Sequence, residues 1–533
     1  MYPRPGTANA KTVLKLVEFP ADVCLTKTPS PSVKISCLKG GLDAMFPWSE
    51  YPVRVGWIPG SDKCWVQMLS RSQQRLSLAE FSISEFLHDP NGAGAAGAAG
   101  AAEYTTLVEE NTPLYITMTD ILTFLPSDGT GTLRFIWATE ITGFRHLQVV
   151  SKLDGQPAVR SALTTGDDWE VKQGSLGYSP AKRVIFFAAS KETPLETHWY
   201  SQSLDHSYAC VGEATLLTEK GYTHNVKISQ SGRFMVDNQS STEVPPRCVL
   251  RDLTTASEVA VLYNGPNMDG YKPPDKFSFT SKNGFDLHGC IYRASPPRAT
   301  PTAKLPTIVY VYGGPGVQLV RNAYAGTSRG LLFSFLARCG FNVVTIDGRG
   351  SAGRGALFEG AIKNRVGTIE VDDQVEGLEY LIAQGTYNID PERIGVHGHS
   401  YGGYMSLLCI GRRPDFFKVV VSGAPVTCWE VYDTGYTERY IGTPQEFPAV
   451  YDTGSVCKLA PEFPDETNRV LICHGLIDEN VHFTNTALLV EELAKHGKPY
   501  SLQVYPSDRH GIRSPHGKRH YRCAMLNFFL SNL

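Results

Sequence analysis

Two rhythms of apolar and polar positions divide the chain. From about residue 50 to 260, short stretches alternate apolar and polar residues around turn signals: VRVGWIPGSDKCWVQML, LRFIWATEITGFRHLQVV, LGYSPAKRVIFFAAS and NVKISQSGRFMVDNQ. They carry aromatic residues near strand ends and show no long helical period, so the pattern predicts β-propeller-like blades, four at most. After the proline-rich join YKPPDKFSF, apolar β-rich runs alternate with helical stretches. The runs are PTIVYVY, FNVVTID, RIGVHG, KVVVSGA, RVLICHG and YSLQVYP, while DDQVEGLEYLIAQ and TNTALLVEELAKH have apolar residues at helical spacing. In the first of these helices Val375, Leu378, Leu381 and Ile382 share a face. Alternating β and α elements predict a mostly parallel sheet with helices on both faces. The expected division is 1–265 for the partial propeller-like region and 266–533 for the α/β domain.

The bulk properties narrow the partners. The 533 residues are 42% hydrophobic and 19% charged, which suits domains with a sizeable core. A formal net charge of -3, with acidic and basic residues intermingled, gives no polybasic stripe for nucleic acid or an anionic membrane. The start, MYPRPGTANAKTVLKL, lacks the apolar core of a signal peptide, and no apolar run approaches the ~20 residues that span a bilayer. Twelve cysteines are scattered without a CxxC pair, and Cys409 and Cys473 sit in apolar segments. This predicts reduced, packed thiols and a cytoplasmic protein rather than a disulfide framework. The Gly/Ala tract at 92–102 has too little side chain to pack and reads as a flexible insertion.

The chemistry gathers at strand ends, where open α/β sheets carry their sites. Gly398-His399-Ser400-Tyr401-Gly402 fits G-x-S-x-G between the strand RIGV and the helical stretch YMSLLCI, the setting of a nucleophile elbow. Its competing reading is a glycine-rich turn whose serine only caps the helix. A serine hydroxyl needs a base and the base needs an orienting carboxylate, in the chain order Ser, Asp or Glu, His for an α/β hydrolase. Asp478 follows RVLICHG and His510 follows YSLQVYP. His397 and His399 stand too close to the serine along the chain to act as its base, and His474 lies on the preceding strand. His516 and His520 belong to a basic, solvated stretch, and Asp508 and Glu479 are the runners-up to Asp478. An oxyanion needs two donors. One is the backbone N–H of Tyr401, and the other comes from Val311-Tyr312-Gly313-Gly314-Pro315, as a backbone N–H or the Tyr312 hydroxyl. A second glycine pattern, Gly348-Arg349-Gly350-Ser351-Ala352-Gly353, matches a dinucleotide fingerprint in outline, but it follows a second strand and Asp347 would face a pyrophosphate.

YGGPGVQLV, GHSYGGYMSL, SGAPVTCWEVYDTGYTERYIG, HGLIDENVHF and YPSDRHGIR resemble the prolyl oligopeptidase family, most closely the cytosolic branch of its dipeptidyl peptidase IV group. The resemblance is dense from about 275 to the end and thinner back to YPRPGTANAKTV. It implies a serine peptidase, without cofactor or metal, that releases dipeptides after proline or alanine, and a homodimer. By position it assigns Ser400, Asp478 and His510 as a triad and Tyr312 as the side-chain oxyanion donor. Val426, Trp429, Tyr432, Tyr436 and Val481 would box the proline ring, and Asn480 would orient the substrate's backbone carbonyl. Two departures stand out: His399 replaces the family's tryptophan, and the paired glutamates that bind the substrate ammonium are not found. Glu109-Glu110 and Glu491-Glu492 lie in the wrong surroundings. The expectation is therefore an incomplete propeller lacking its front half, with general ester or peptide hydrolysis, or a silent protein-binding scaffold, as the alternatives.

Overall fold

The computed structural model describes residues 2–19, 33–88, 100–295, 303–324 and 328–533. Most of the Gly/Ala tract, and Cys24, lie outside the described residues. Two compact units are formed, Met1–Pro3 with Thr7–Thr142 and His146–Thr165, and Arg4–Gly6 with Gly143–Arg145 and Gly166–Leu533.

In the first unit, one four-stranded antiparallel sheet runs in chain order through Ser49–Trp57, Lys63–Ser70, Arg75–Ser82 and Thr105–Asn111. A second joins Leu122–Phe124, Thr132–Thr139, His146–Leu153 and Val159–Ala162. A three-stranded sheet of Lys15–Glu18, Lys34–Leu38 and Phe86–His88 completes this unit. The second unit opens with two more four-stranded meanders, over Val171–Leu216 and Thr223–Asn264. Each alternating stretch read from the sequence is one hairpin of one of these four sheets. The inner strands pack on both faces: Val66, Met68 and Ala79 belong to one core, and Leu69, Leu76 and Leu78 to another with Phe135, Trp137 and Val150.

The rest of the second unit is built on an eight-stranded sheet. Its strands are β1 (Asp275–Thr280), β2 (Asp286–Tyr292), β3 (Leu305–Tyr310), β4 (Asn342–Asp347), β5 (Ile389–His399), β6 (Val419–Gly423), β7 (Val470–Gly475) and β8 (Ser501–Tyr505). The spatial order is β1-β2-β4-β3-β5-β6-β7-β8, with β1 and β2 antiparallel and the other six parallel. All residues of β4, β6 and β7 are buried, which is why these segments read as continuous apolar runs. The helices are α1 (Ser328–Arg338), α2 (Ile369–Gln384), α3 (Tyr401–Arg412), α4 (Thr434–Ile441), α5 (Thr484–Lys495) and α6 (Pro515–Asn532). Met525 and Phe529 of α6 pack with Ile308, Val343, Val419 and Leu471 of the sheet in one core. This is the order of an α/β hydrolase, and it sets the loops after β3, β5, β7 and β8 at one end of the sheet.

No helix among the described residues is long and apolar enough to cross a membrane. The eleven described cysteines are free thiols.

Candidate active site

The turn between β5 and α3 carries Ser400 in a backbone conformation that side chains rarely adopt, φ 62° and ψ -122°. Such a residue stores of order 1–3 kcal/mol of strain, which the surrounding packing has to hold. The glycines are what make the turn fit. A Cβ on Gly398 would lie 2.2 Å from the Gly402 carbonyl oxygen and 2.5 Å from that of Val311. One on Gly402 would lie 2.3 Å from the Val311 oxygen, and one on Gly403 would lie 2.4 Å from the Gly423 oxygen. The Ser400 N–H donates to Gly423 O at 2.9 Å, so the elbow is tied to β6 as well as to the loop after β3.

Three loops converge on the hydroxyl. Ser400 Oγ lies 3.0 Å from His510 Nε2, and His510 Nδ1 lies 2.8 Å from Asp478 Oδ2. Asp478 is held on all sides: its Oδ1 accepts the N–H groups of Asn480 and Val481, each at 2.9 Å, and its Oδ2 also receives His474 Nε2 at 3.1 Å. Burial pushes this carboxyl up. The hydrogen bonds from His474, His510 and the backbone outweigh that effect and hold it well below the usual carboxylate range. His510 Nδ1 meets an ionised acceptor, which fixes the proton there and leaves Nε2 to accept from the serine.

The other candidates have different partners. Asp508 is buried and accepts from Arg513 N, Ser514 N and Ser514 Oγ, which shapes the turn into α6. Glu479 makes only a 3.7 Å ion pair with Arg509, and both are exposed. His397 is buried, with Nδ1 2.8 Å from Val421 O, and burial pushes its pKa down to about 4. His399 packs its ring 5.0 Å from that of His510; burial first, then the neighbouring imidazole, push its pKa down to about 4. His520 Nδ1 lies 3.2 Å from the Tyr505 hydroxyl, and His516 is exposed.

The loop after β3 packs its glycines against Tyr401. A Cβ on Gly314 would fall 2.4 Å from the Tyr401 ring, and the Tyr312 ring centre lies 5.9 Å from that of Tyr401. Burial raises the Tyr312 phenol above its ordinary pKa, so it remains a neutral donor. Behind them the Tyr401 hydroxyl donates to the buried Glu370 carboxyl at 2.8 Å, and Gly367 N donates to the same oxygen at 2.9 Å. Sequence reasoning missed Glu370 and the role of His474 as a second partner of Asp478. Glu370 stands in the first turn of α2, 31 residues from its partner, and only a buried acid amid an apolar helix face hinted at it.

Four of the six proposed pocket residues, Trp429, Tyr432, Tyr436 and Asn480, are in mutual contact. Trp429 stacks on Tyr436 at 6.1 Å and 10°, Tyr432 meets Tyr436 edge to face at 5.4 Å, and Val426 and Val481 are buried. The Tyr432 hydroxyl donates to Asn480 Oδ1 at 2.7 Å. Neither glutamate pair is free: Glu110 accepts from Trp137 Nε1 and Arg160, Glu109 pairs with Arg75, and Glu491 and Glu492 both pair with Lys495. No group of three or more metal-binding side chains is arranged to hold an ion among the described residues.

Fold and site define an α/β-hydrolase unit preceded by antiparallel sheets. Residues 328–533 match the prolyl oligopeptidase family, and residues 1–246 match the dipeptidyl peptidase IV N-terminal region. The chain belongs to the prolyl oligopeptidase family. It is similar over its whole length to dipeptidyl peptidase 8 of Mus musculus, at 37% identity, and of Homo sapiens, at 38%. It spans 63% and 62% of those two relatives.

Proposed function

We propose that this chain is a serine peptidase that releases dipeptides from peptide N-termini, cutting after proline or alanine. The observation that carries the reading is the unbroken relay of hydrogen bonds from Asp478 through His510 to Ser400. In it, Ser400 Oγ attacks the scissile carbonyl carbon while His510 Nε2 takes the hydroxyl proton, and Asp478 stabilises the imidazolium. The carbonyl oxygen gains the electron pair and is met by the Tyr401 N–H and the Tyr312 hydroxyl. Collapse of this intermediate expels the peptide amine, which takes its proton from His510. Water, activated by the same imidazole, then hydrolyses the acyl-enzyme. Trp429, Tyr432, Tyr436, Val426 and Val481 grip a flat ring that has no N–H to leave unpaired, and Asn480 orients the neighbouring carbonyl. Cytoplasmic location and a homodimer belong to the same reading.

A fluorophosphonate probe tests the first part: it labels the protein, and Ser400→Ala abolishes labelling. Unlabelled wild-type protein means a silent scaffold. The engaged glutamate pairs favour one second reading, hydrolysis without an ammonium anchor. Gly-Pro and N-blocked Gly-Pro chromogenic amides separate the two: preference for the free amine supports dipeptide release, and equal turnover supports the general hydrolase.

A further inference from the structure

One short stretch near the C-terminal end of the sequence is densely basic. Residues 509–522 contain Arg509, Arg513, Lys518, Arg519 and Arg522 and no aspartate or glutamate. All five cations are exposed. Arg509 has the 3.7 Å pair with Glu479, an exposed contact of little strength. The other four have no carboxylate partner among the described residues. Asp508, next in the chain, is buried and spends both oxygens on the turn.

The place of this stretch follows from the chemistry. His510 hands its proton to the departing amine, so the segment beyond the scissile bond leaves over the loop that carries His510. Arg509 and Arg513 belong to that loop, and Lys518, Arg519 and Arg522 lie on the first turns of α6, which follows it. An apolar footing lies alongside. Ile477 N donates to Asp508 O and Leu476 N to Tyr505 O, so the loop after β7 runs beside the His510 loop. There Leu476 and Ile477 are 47% and 53% exposed, large apolar side chains left in water beside arginines.

We infer that the leaving-group side of the site is a docking surface for acidic peptide, so that substrates with carboxylates beyond the scissile bond are cleaved in preference to those with cations. The inference rests on the hydrolase reading above. Fixed positive charge at the mouth of a site raises the encounter rate of anionic substrates, by about tenfold or more when several charges act together, and salt weakens it.

The test compares kcat/KM for Gly-Pro-Ala-Asp-Asp-Ala, Gly-Pro-Ala-Asn-Asn-Ala and Gly-Pro-Ala-Lys-Lys-Ala. The Asp peptide should exceed the Lys peptide by about tenfold at low ionic strength, with the Asn peptide between them. The ratio should shrink toward one at about 0.5 M salt and in the Arg513→Glu/Arg519→Glu double variant. A ratio of one at low salt overturns the inference, including the case in which these cations serve some other polyanion. Aryl acetates with a carboxylate or a quaternary ammonium on the leaving phenol read the same side without dipeptide recognition. If the peptides are not turned over but the esters show the charge preference, dipeptide release fails and the docking surface stands. If neither is turned over and the phosphonate does not label, both fail.

Discussion

Two glycine-rich turns leave the carboxyl ends of strands in the same sheet, and they treat their polar groups in opposite ways. At the end of β4, the Asp347 carboxylate accepts the N–H groups of Leu319 and Val320 at 3.0 and 2.7 Å; burial still pushes its pKa up to about 6. Arg349 forks onto the buried Asp373, and Ser351 Oγ donates back to Gly348 O. No helix opens at Gly353, and the next helical residues are Ala356–Glu359. The polar side chains of this turn are spent on shape, and the geometry of a dinucleotide cradle is not met. At the end of β5 the glycines are equally constrained, yet among the described residues the hydroxyl they surround bonds only to an imidazole from another loop. The lesson is that a glycine pattern states how closely backbone passes, while the partners of the polar residue inside it state whether the turn has chemistry left to do.

Five substitutions break or sharpen this contrast. Asp478→Asn removes the ionised acceptor that fixes the His510 proton, and kcat should fall by about 10³ to 10⁴-fold with little change in KM. Steady-state hydrolysis of a Gly-Pro amide reads it, and a loss below tenfold would deny Asp478 its place. Gly398→Ala puts a methyl 2.2 Å from a backbone oxygen and should cut the phosphonate labelling rate of folded protein about 10²-fold. Gly348→Ala, whose methyl would lie 2.8 Å from Asp373 Cβ, should lower the unfolding midpoint but leave that rate unchanged. Equal labelling of the two variants would erase the distinction between the turns.

Tyr401→Phe keeps the backbone donor and the ring but frees the phenol's grip on Glu370, so kcat should drop about tenfold while pocket affinity holds. Separate kcat and KM values test this, and a change confined to KM would make the contact part of the pocket instead. The smallest effect concerns pH. His397 is neutral in the fold with a pKa of about 4, against ~6.5 when unfolded. The unfolded chain therefore binds the extra proton between those values, and stability rises with pH across that window. His397→Asn should flatten this part of the urea-midpoint profile, and an unaltered slope would remove His397 as its source.

Much of the sheet was legible because β4, β6 and β7 are buried along their whole length and so carry unbroken apolar runs. The two that escaped, β1 and β2, are antiparallel; burial alternates along β1, while β2 is buried from Gly289 to Tyr292 but opens on the polar pair Asp286 and His288. Ser400, Asp478 and His510 were legible because each follows a strand at the same sheet end. Glu370 was not, since a helix period marks which residues are buried but not what a buried acid will bond. His474 was discounted as a strand residue. It is one, yet the tight turn after β7 brings Asp478 back within 3.1 Å of it. The pocket needed the family resemblance, because an aromatic stripe reads equally well as core.

The hydrogen bond from Tyr432 to Asn480 links two tasks that are usually described apart. Asn480 N also holds Asp478 Oδ1, so the aromatic wall and the acid that holds His510 share one short lever. A side chain too bulky for the box would tilt that lever as it displaced Tyr432. On the proposed reading, misfit residues would be penalised in turnover as well as in binding.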